Sequence, residues 1–483
     1  QTSLNHYWTI SDKSNLSTAL YASWGSGGGG GTAGSNSGLF NERMGGNDQP
    51  IDLDNIVAIN RANGALGSEA FLRASRNDHS WFGALSTFKT ELNDNLSFIG
   101  GVDLRTYTGE HFREVTDLLG GDYVYDDSNI NNPNTALQVG DKFSYYNDGE
   151  VGWQGLFTQL EYDKDNIAGF ISVAASNTSY KRIDYFQYTP GNQETDTYNF
   201  TGFSVKGGAN YNINDEHNIF ANIGYFEKAA NFDSVFLQFD NDHINADAEN
   251  QKIFSAELGY GFRGESFAAN VNIYRTQWDD RSLTRSFQNP DGTFGSANIL
   301  GVNALHQGIE LDFMYKASDK LTLTGMLSLG DWQWANDLEN IQIFDEEQNL
   351  VNTVNMFIDG LKVSDAAQTT AALGLNYELM DKTFFTVDYN YFADLFARYD
   401  PNDRGTANAP QAWEAPDYAT FDMSIRHGFK IGDLDATLTG RMNNVFDTQY
   451  IADATDGENS IDQTVKVWYG YGRTFNVSAK IKF

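Results

Sequence analysis

Cysteine is absent from the 483 residues, and proline, basic side chains and long apolar runs are scarce. Without cysteine these residues can form no disulfide, no thiolate metal site and no lipid-modified cysteine. Helical membrane spans are excluded because no stretch of about 18 consecutive apolar residues occurs. The 65 acidic and 32 basic side chains give a net charge of −33, which argues strongly against nucleic acid as a partner.

The acidic excess leaves two interpretations open. Solvated acidic loops are the simpler one, and capture of cations or cationic cargo is the alternative. Two clusters offer the oxygen ligands that calcium prefers, although neither has EF-hand spacing. They are Asp240, Asp242, Asp247 and Glu249, and Asp400, Asn402 and Asp403. We predict no metal site and no cofactor, with loop-bound calcium as the alternative.

The motifs of common enzymes are also missing. The sequence contains no Gly-Lys pair of a P-loop, no Gly-x-Ser-x-Gly elbow and no close histidine pair. Residues 29–34 fit a G-x-G-x-x-G string, but no helix is predicted after it, and we interpret it as a flexible surface loop. His306 and His427 lie in predicted strands and are interpreted as structural. We expect that the protein is not an enzyme.

What the sequence does contain is alternation with a period of two. The final strand places these residues on one face: Tyr469, Tyr471, Phe475, Val477, Ala479, Ile481 and Phe483. The same pattern recurs at 96–104, 267–273, 308–315, 321–329, 385–391, 419–426 and 434–443. No amphipathic helix of useful length competes with it. Because 34 Phe, 25 Tyr and 9 Trp accompany this alternation, it predicts an all-β transmembrane antiparallel barrel.

Short and long connections alternate along the chain. The short ones are 11–14, 94–95, 163–166, 214–216, 264–266, 318–320, 381–382 and 432–433. The long ones are 26–79, 110–150, 184–197, 233–250, 279–300, 337–362, 398–415 and 448–466. Outer-membrane barrels have short periplasmic turns and long extracellular loops. We count about seventeen strands, the first running inward, and expect that an amino-terminal portion and its signal peptide are missing.

Tryptophan placement predicts an aromatic girdle at the membrane interfaces. Those near predicted extracellular strand ends are Trp24, Trp81, Trp153, Trp278, Trp332, Trp334 and Trp468, and Trp8 lies near a periplasmic turn. A sugar-binding surface is the alternative use of these side chains.

The carboxy-terminal segments 441–451 and 472–477 resemble the barrel of TonB-dependent receptors. The family motif positions, which we expect to be structural, are Asn444, Phe446, Asp447, Tyr450, Gly472, Arg473 and Phe483. Thr474 departs from the pattern, since it separates the Gly-Arg pair from its aromatic residue. Residues 307–313 resemble another barrel strand of the family, and residues 1–8 resemble Bacteroidetes-type receptors.

This resemblance implies a barrel of twenty-two strands enclosing a plug. Residues 1–483 would be the carboxy-terminal barrel portion, with the plug and the first strands absent. The implied function is import of a scarce or large nutrient across the outer membrane of a Gram-negative bacterium, energised by TonB. The implied partners are outer-membrane lipid, lipopolysaccharide, the plug domain and TonB, and family analogy adds a surface lipoprotein.

Two other functions stay open at this point. A passive porin or diffusion channel shares the barrel but needs no plug. A soluble β-rich carbohydrate-binding or adhesin protein would instead pack Phe475 and Ile481 in a core against a second sheet.

The candidate cargo contacts are Trp332, Trp334, Arg398, Tyr399 and Trp413. Aromatic side chains stack on the rings of a ligand, and arginine forms paired hydrogen bonds to carboxylates. These residue types in predicted extracellular loops therefore indicate cargo binding. Girdle or loop packing is the alternative for each of them.

Overall fold

The computed structural model describes residues 1–236, 240–288, 294–345, 350–457 and 464–482, in which strands dominate. The strands are β1 (Thr2–Ser11), β2 (Ser14–Gly25), β3 (Gly28–Ala33), β4 (Phe71–Asn93), β5 (Leu96–Asp117), β6 (Val124–Asp126), β7 (Thr135–Leu137), β8 (Lys142–Lys164), β9 (Ile167–Asp184), β10 (Tyr198–Asn212), β11 (His217–Lys228), β12 (Gln251–Arg263), β13 (Phe267–Gln288), β14 (Phe294–Ser318), β15 (Leu321–Trp334), β16 (Leu338–Phe344), β17 (Leu350–Met356), β18 (Thr369–Met380), β19 (Thr383–Ala393), β20 (Leu395–Phe396), β21 (Glu414–Ala415), β22 (Tyr418–Ile431), β23 (Leu434–Asn443), β24 (Ile451–Thr455), β25 (Lys466–Tyr469) and β26 (Thr474–Lys482).

Helical structure is limited to short connecting segments. The α-helices are α1 (Leu53–Asn63) and α2 (Phe232–Val235), and 3-10 turns lie at Ser37–Asn41, Gly64–Leu66 and Pro401–Arg404. Among the described residues, no helix is both long enough and apolar enough to cross a membrane.

One antiparallel meander forms the body of the protein. Its strands follow in the order β1, β2, β4, β5, β8, β9, β10, β11, β12, β13, β14, β15, β18, β19, β22, β23 and β26. The main sheet has twenty strands, of which β3, β16 and β17 only extend the outer parts of β4 and β14. The seventeen strands that remain confirm the number predicted from sequence.

All eight predicted short turns join neighbouring meander strands at one end of the sheet. Left-handed backbone at Asp165, Lys382 and Gly432, with φ of 53°, 57° and 60°, allows these reversals. The long loops all lie at the opposite end. The alternation of short and long connections is therefore confirmed.

The two faces of the sheet differ in chemistry. The outward face, defined by Leu104, Ile273 and Leu327, is apolar and exposed. Strand pairing extends this apolar face from one strand to the next, since Ile273 lies between Leu258 and Ile309. The lumen face is polar, and Arg441 and Asp422 there form an ion pair of 3.2 Å. An exposed apolar band opposite a polar face is what a sheet in a bilayer requires.

The soluble alternative is wrong on this evidence. Phe475 and Ile481, which it placed in a core, are 69% and 42% exposed. Both lie on β26, whose residues are exposed along its whole length, as are those of β1. Among the described residues, no pairing joins β1 to β26.

Several segments predicted to be loops are strands. β13 extends to Gln288 and β14 begins at Phe294, so most of the predicted loop 279–300 is a hairpin. β4, β5 and β8 have 22 or 23 residues, whereas about 9–11 cross a bilayer. Their outer halves pack partly against loop residues, with Phe71, Val115 and Phe143 buried in one cluster, so they lack the alternation that lipid on one side would impose.

The glycine-rich segment was also predicted wrongly. Gly28–Ala33 is strand β3, paired with β4 from Gly28 opposite Arg76 to Ala33 opposite Phe71. A Cβ at Gly28 would approach the Ser75 carbonyl oxygen to 2.7 Å, so this close pairing requires glycine.

Helix α1 was not expected from the sequence either. Its N-cap is Asp52, whose side chain accepts from the Asn55 N–H at 3.0 Å. Its buried Asn60 donates to the Ala70 carbonyl at 2.8 Å, which ties the helix to the start of β4. The helix belongs to a long loop with a small buried core of its own.

The girdle interpretation holds for only part of the tryptophans. Trp8 and Trp24 lie on the outward face near opposite strand ends and are 54% and 60% exposed. Trp81, Trp153, Trp278 and Trp332 have the opposite parity and lie on the lumen face. For these four the girdle interpretation is wrong, because period two places them away from lipid.

Replacing Leu327 by arginine tests which face meets lipid. Leu327 lies near the middle of β15, between Leu311 and Ala371 on the outward face. We expect Leu327→Arg to lower the free energy of unfolding in lipid vesicles by about 2–4 kcal/mol, measured by urea titration. The control Ser328→Arg enters the lumen face beside Glu310 and should change it by less than about 1 kcal/mol. Equal losses for the two variants would contradict the assignment of the faces.

Candidate functional site

Four of the five predicted cargo contacts meet in one cluster of long loops, at the end of the sheet opposite the short turns. Trp334 and Tyr399 are only 2% and 3% exposed, and their rings pack edge to face at 6.1 Å. They belong to an apolar core whose other fully buried members are Ala297, Ile299, Val302, Ala304, Met356 and Ile358. In this arrangement Trp334 and Tyr399 hold the loops together and present no face to an incoming molecule.

Arg398 connects three loops beside that core. Its guanidinium Nη2 donates to Asp453 Oδ2 at 2.9 Å, and its Nε lies 3.4 Å from Asp365 Oδ1. Its backbone N–H donates to the Ala454 carbonyl at 2.8 Å. The neighbouring Ala397 N–H donates to the carbonyl of half-buried Trp413 at 2.7 Å. Arg398 and Trp413 are thus held near each other at the accessible edge of the cluster.

A buried ion pair joins two of the same loops. Arg404 Nη2 contacts Asp456 Oδ2 at 2.5 Å, and both side chains are at most 2% exposed. Sequence analysis had grouped the neighbouring Asp400 and Asp403 as possible calcium ligands but had missed Arg404. A buried charge of this kind requires a partner, and Asp456 supplies it from a distant loop.

Trp332 lies apart from the other four, on the lumen face. Its indole N–H donates to the Tyr274 hydroxyl at 2.9 Å, and its backbone N–H donates to Gln368 Oε1 at the same distance. His306 lies 5.9 Å from its ring. The cargo-binding role of all five residues stays a prediction, and Trp332, Arg398 and Trp413 are the ones with surface available for it.

The loop that carries α2 folds inward over the lumen face. Asn231 Nδ2 donates to the Ser282 carbonyl at 2.8 Å, and the buried Tyr180 hydroxyl donates to the Ala230 carbonyl at 2.8 Å. Phe232 packs against Tyr180 at 5.6 Å. Sequence analysis placed this segment among the extracellular loops without predicting that it narrows the lumen.

The predicted motif at the carboxy-terminus is a turn that joins three strands. Asn444 is buried in a left-handed conformation with φ of 48°. Its side chain accepts from the Thr448 N–H and donates to the Thr448 carbonyl, both at 2.8 Å. Its own N–H donates to Asp422 Oδ1 at 2.9 Å. Asparagine suits this position because it tolerates left-handed backbone and bonds locally.

The other motif residues complete the turn. Asp447 Oδ1 accepts from the Arg473 N–H at 2.7 Å, and a Cβ at Gly472 would approach the same oxygen to 2.7 Å. Tyr450 stacks on Tyr418 at 4.3 Å. Phe446, which is 64% exposed, packs on Phe421 at 5.1 Å. Phe483 lies outside the described residues.

Acidic side chains of the first predicted calcium cluster accept hydrogen bonds from other residues of the chain. Asp240 accepts from the Asp242 and His243 N–H groups at 3.0 and 2.8 Å, and Tyr188 donates to Asp242 at 2.9 Å. In the described part of the chain, no three His, Asp or Glu side chains converge as metal ligands. The side chain of Asn402 lies outside the described part. Calcium binding stays a prediction.

Asp240 and His243 form a pH-dependent pair, with His243 Nδ1 2.7 Å from Asp240 Oδ2. The hydrogen bond to Asp240, and its negative charge, raise the pKa of His243 above 6.5. Partial burial opposes ionisation of Asp240, but the backbone and side-chain hydrogen bonds from His243 outweigh it and lower its pKa below 3.8. The attraction is therefore complete between about pH 3.8 and 6.5 and is lost as the pH rises through the raised pKa of His243.

The pair can be tested with the substitution Asp240→Asn. We expect it to lower the pKa of His243 toward its ordinary value, because the hydrogen bond to a carboxylate and the negative charge of Asp240 are both removed. An NMR titration of histidine-labelled protein measures this directly. Asp94→Asn, at a distant turn, should leave the pKa of His243 unchanged. The same titration curve in Asp240→Asn and the unmodified protein would contradict the pairing.

The substitution Asn444→Ala tests the carboxy-terminal turn. It removes the two bonds to Thr448 and places alanine in a left-handed conformation, so we expect a loss of about 2–4 kcal/mol of unfolding free energy. Asn476→Ala, on exposed β26, is the matched control and should cost less than about 1 kcal/mol. Urea unfolding in detergent measures both. Similar stabilities for the two variants would show that the turn contributes little.

Comparison with known proteins agrees with this architecture. The family model described as TonB dependent receptor-like, beta-barrel matches residues 1–445. No curated protein matches the chain significantly in sequence. Neither that family nor the similar solved structures are enzymes.

Three solved structures illustrate the likeness. The copper transporter OprC superposes with a TM-score of 0.66 at 14% identity, over 99% of this chain and 64% of that one. The unliganded ferric citrate transporter FecA gives 0.61 at 11%, over 99% and 61%. The ferric yersiniabactin uptake receptor FyuA from Yersinia pestis gives 0.58 at 11%, over 100% and 61%.

At these identities the structural likeness shows the fold alone, and the chain spans less than two thirds of each of these proteins. The family match, however, covers most of the sequence. The chain belongs to the TonB-dependent receptor-like β-barrel family.

Proposed function

We propose that this chain is the barrel portion of an outer-membrane receptor that imports a scarce or large nutrient, energised by TonB. The observation that carries the proposal is the meander of seventeen strands with an outward apolar band and a polar lumen face. The structural neighbours named above are a copper transporter, a ferric citrate transporter and a ferric yersiniabactin uptake receptor. Transport or uptake is what these three names share, and its extension to this chain, across an outer membrane, is part of the proposal.

The two edges of the sheet are evidence for additional strands. The backbone groups along the outer sides of β1 and β26 have no strand partner among the described residues. In a bilayer each unpaired N–H or C=O costs several kcal/mol, so strands span membranes only in closed barrels. We therefore propose that about five further strands pair with these edges and complete a barrel of twenty-two.

The polar lumen face supports a plug. A barrel of twenty-two strands is wide enough to leak if it is empty. The lumen face of this chain offers Asn270, which donates to Asp312 at 2.9 Å, and the Arg441–Asp422 pair, all able to exchange hydrogen bonds with an inserted domain. We propose that a plug, with a segment that engages TonB, occupies this space.

The surroundings follow from the same proposal. Outer-membrane lipid would contact the outward face, and lipopolysaccharide would contact the outer halves of the long strands. A surface lipoprotein partner and the Bacteroidetes-type origin stay predictions, as does the identity of the cargo.

A passive porin is the competing function, and conductance separates the two. We expect the complete protein to be closed in planar bilayers, because a plug fills the lumen, while a variant without the plug conducts as a wide pore. Single-channel recording on both proteins measures this. A large steady conductance of the complete protein would contradict the importer and support the porin.

A further inference from the structure

Six side chains form a continuous surface on the lumen face of β2, β4, β5 and β8. This surface, called the lumen patch below, consists of Tyr21, His79, Trp81, Arg105, Tyr107 and Trp153. Register places them together: Gly83 faces both Tyr21 and Arg105, and Arg105 faces Trp153. One row further out, Trp81 faces Tyr107.

The patch lies in the extracellular half of the lumen. Trp81 and Trp153 are about midway along strands of 23 residues, beyond the roughly 9–11 residues that cross the bilayer from the short turns. A molecule that enters from outside therefore meets this part of the wall early. Trp81 is 37% exposed, so aromatic surface is open to the lumen.

Glycines hold three of the rings flat against the wall. A Cβ at Gly83 would approach Tyr21 Cζ to 2.1 Å, and one at Gly155 would approach Trp153 Cη2 to 2.4 Å. A Cβ at Gly25 would approach His79 Cε1 to 2.3 Å. Because Tyr21 and His79 lie over residues without a side chain, their broad faces can be turned to the lumen, whereas one face of Trp153 is covered by Arg105.

Arg105 has a fixed orientation within this aromatic surface. Its Nε and Nη2 donate to the two carboxylate oxygens of Asp103, at 3.1 and 2.5 Å, and Asp103 is only 6% exposed. Its Cζ lies 4.7 Å from the centroid of the Trp153 ring, and 42% of its side chain is exposed. Asp103 occupies one edge of the guanidinium, which leaves the Nη1 and Nη2 edge for a second acceptor.

We propose that the lumen patch binds a ring-shaped cargo that carries a carboxylate. The ring stacks on Trp81 and Tyr21, whose rings are neighbours, and the carboxylate accepts two hydrogen bonds from the free edge of Arg105. The net charge of −33 disfavours capture of anions by the overall field, so recognition has to come from a local, oriented cation such as Arg105. The inference rests on the proposed import function and defines the class of its cargo.

Two sources could supply this chemistry, an acidic sugar or a phenolic acid. The probes are therefore trigalacturonate with neutral galactotriose, and salicylate with neutral salicylamide. Titration calorimetry of the complete protein in detergent measures each affinity. We expect one acid to bind and its neutral analogue to bind at least about 10-fold more weakly, since the charged hydrogen bonds are lost.

Matched variants locate the binding. Arg105→Gln and Trp81→Leu should each weaken the bound acid about 10-fold or more. Arg426→Gln, at an arginine whose Cζ lies 4.7 Å from the Phe384 ring, and Phe220→Leu, whose ring a Cβ at Gly259 would approach to 2.2 Å, should not. If Arg105→Gln fails to fold, Arg105→Lys keeps the positive charge but removes the paired N–H donors of the guanidinium, and it should weaken binding in the same way.

The outcomes separate this inference from the import function. Failure of both acids to bind, equal binding of the neutral analogues, or equal losses in the control variants would overturn the lumen patch as the cargo site. A protein that is closed in bilayers but binds neither acid contradicts only this inference. An open pore contradicts the importer, whatever binds to it.

Discussion

Backbone hydrogen bonding is the constraint on which the rest of this structure depends. A strand in hydrocarbon must pair on both sides, because lipid offers no partner for an unpaired N–H or C=O. Fifteen of the seventeen meander strands meet this requirement through their two neighbours, and the alternation of side chains follows from the same geometry. The backbone hydrogen bonds between strands do not involve the side chains. The outward side chains can therefore be apolar and the lumen side chains polar.

Outside the bilayer, water can pair with backbone N–H and C=O groups, so strand pairing is no longer obligatory and the chain is stabilised in other ways. The long hairpins meet water, and the loops form small apolar cores with buried polar ties. Trp334 and Tyr399 belong to one such core, and the buried pair Arg404–Asp456 secures it. The inward loop around Phe232 is held by hydrogen bonds and ring contacts of the same kind. Loops that are packed in this way have a defined outer surface.

Much of the membrane-spanning part could be predicted from sequence, and most of the loop structure could not. Period two and turn residues identify the strands and the eight short turns, because lipid on one side and lumen on the other impose opposite chemistry. Beyond the membrane that contrast ends, so β3, helix α1 and the hairpin of β13 and β14 were missed. The same limit applies to Trp334, since an exposed loop tryptophan and a buried one look alike in sequence. The lumen patch was missed because its signal is a cross-strand pairing of glycine with an aromatic ring, which requires the register.

The central claim is that one face of the meander touches lipid and the other faces the lumen. Because the chain has no cysteine, single cysteines can be introduced one at a time along β15 and spin-labelled in lipid vesicles. The account predicts that accessibility to oxygen and to a water-soluble nickel complex alternates with a period of two, with Leu323, Leu327 and Leu329 on the oxygen-accessible side. Uniform accessibility to the nickel complex along the strand would contradict it.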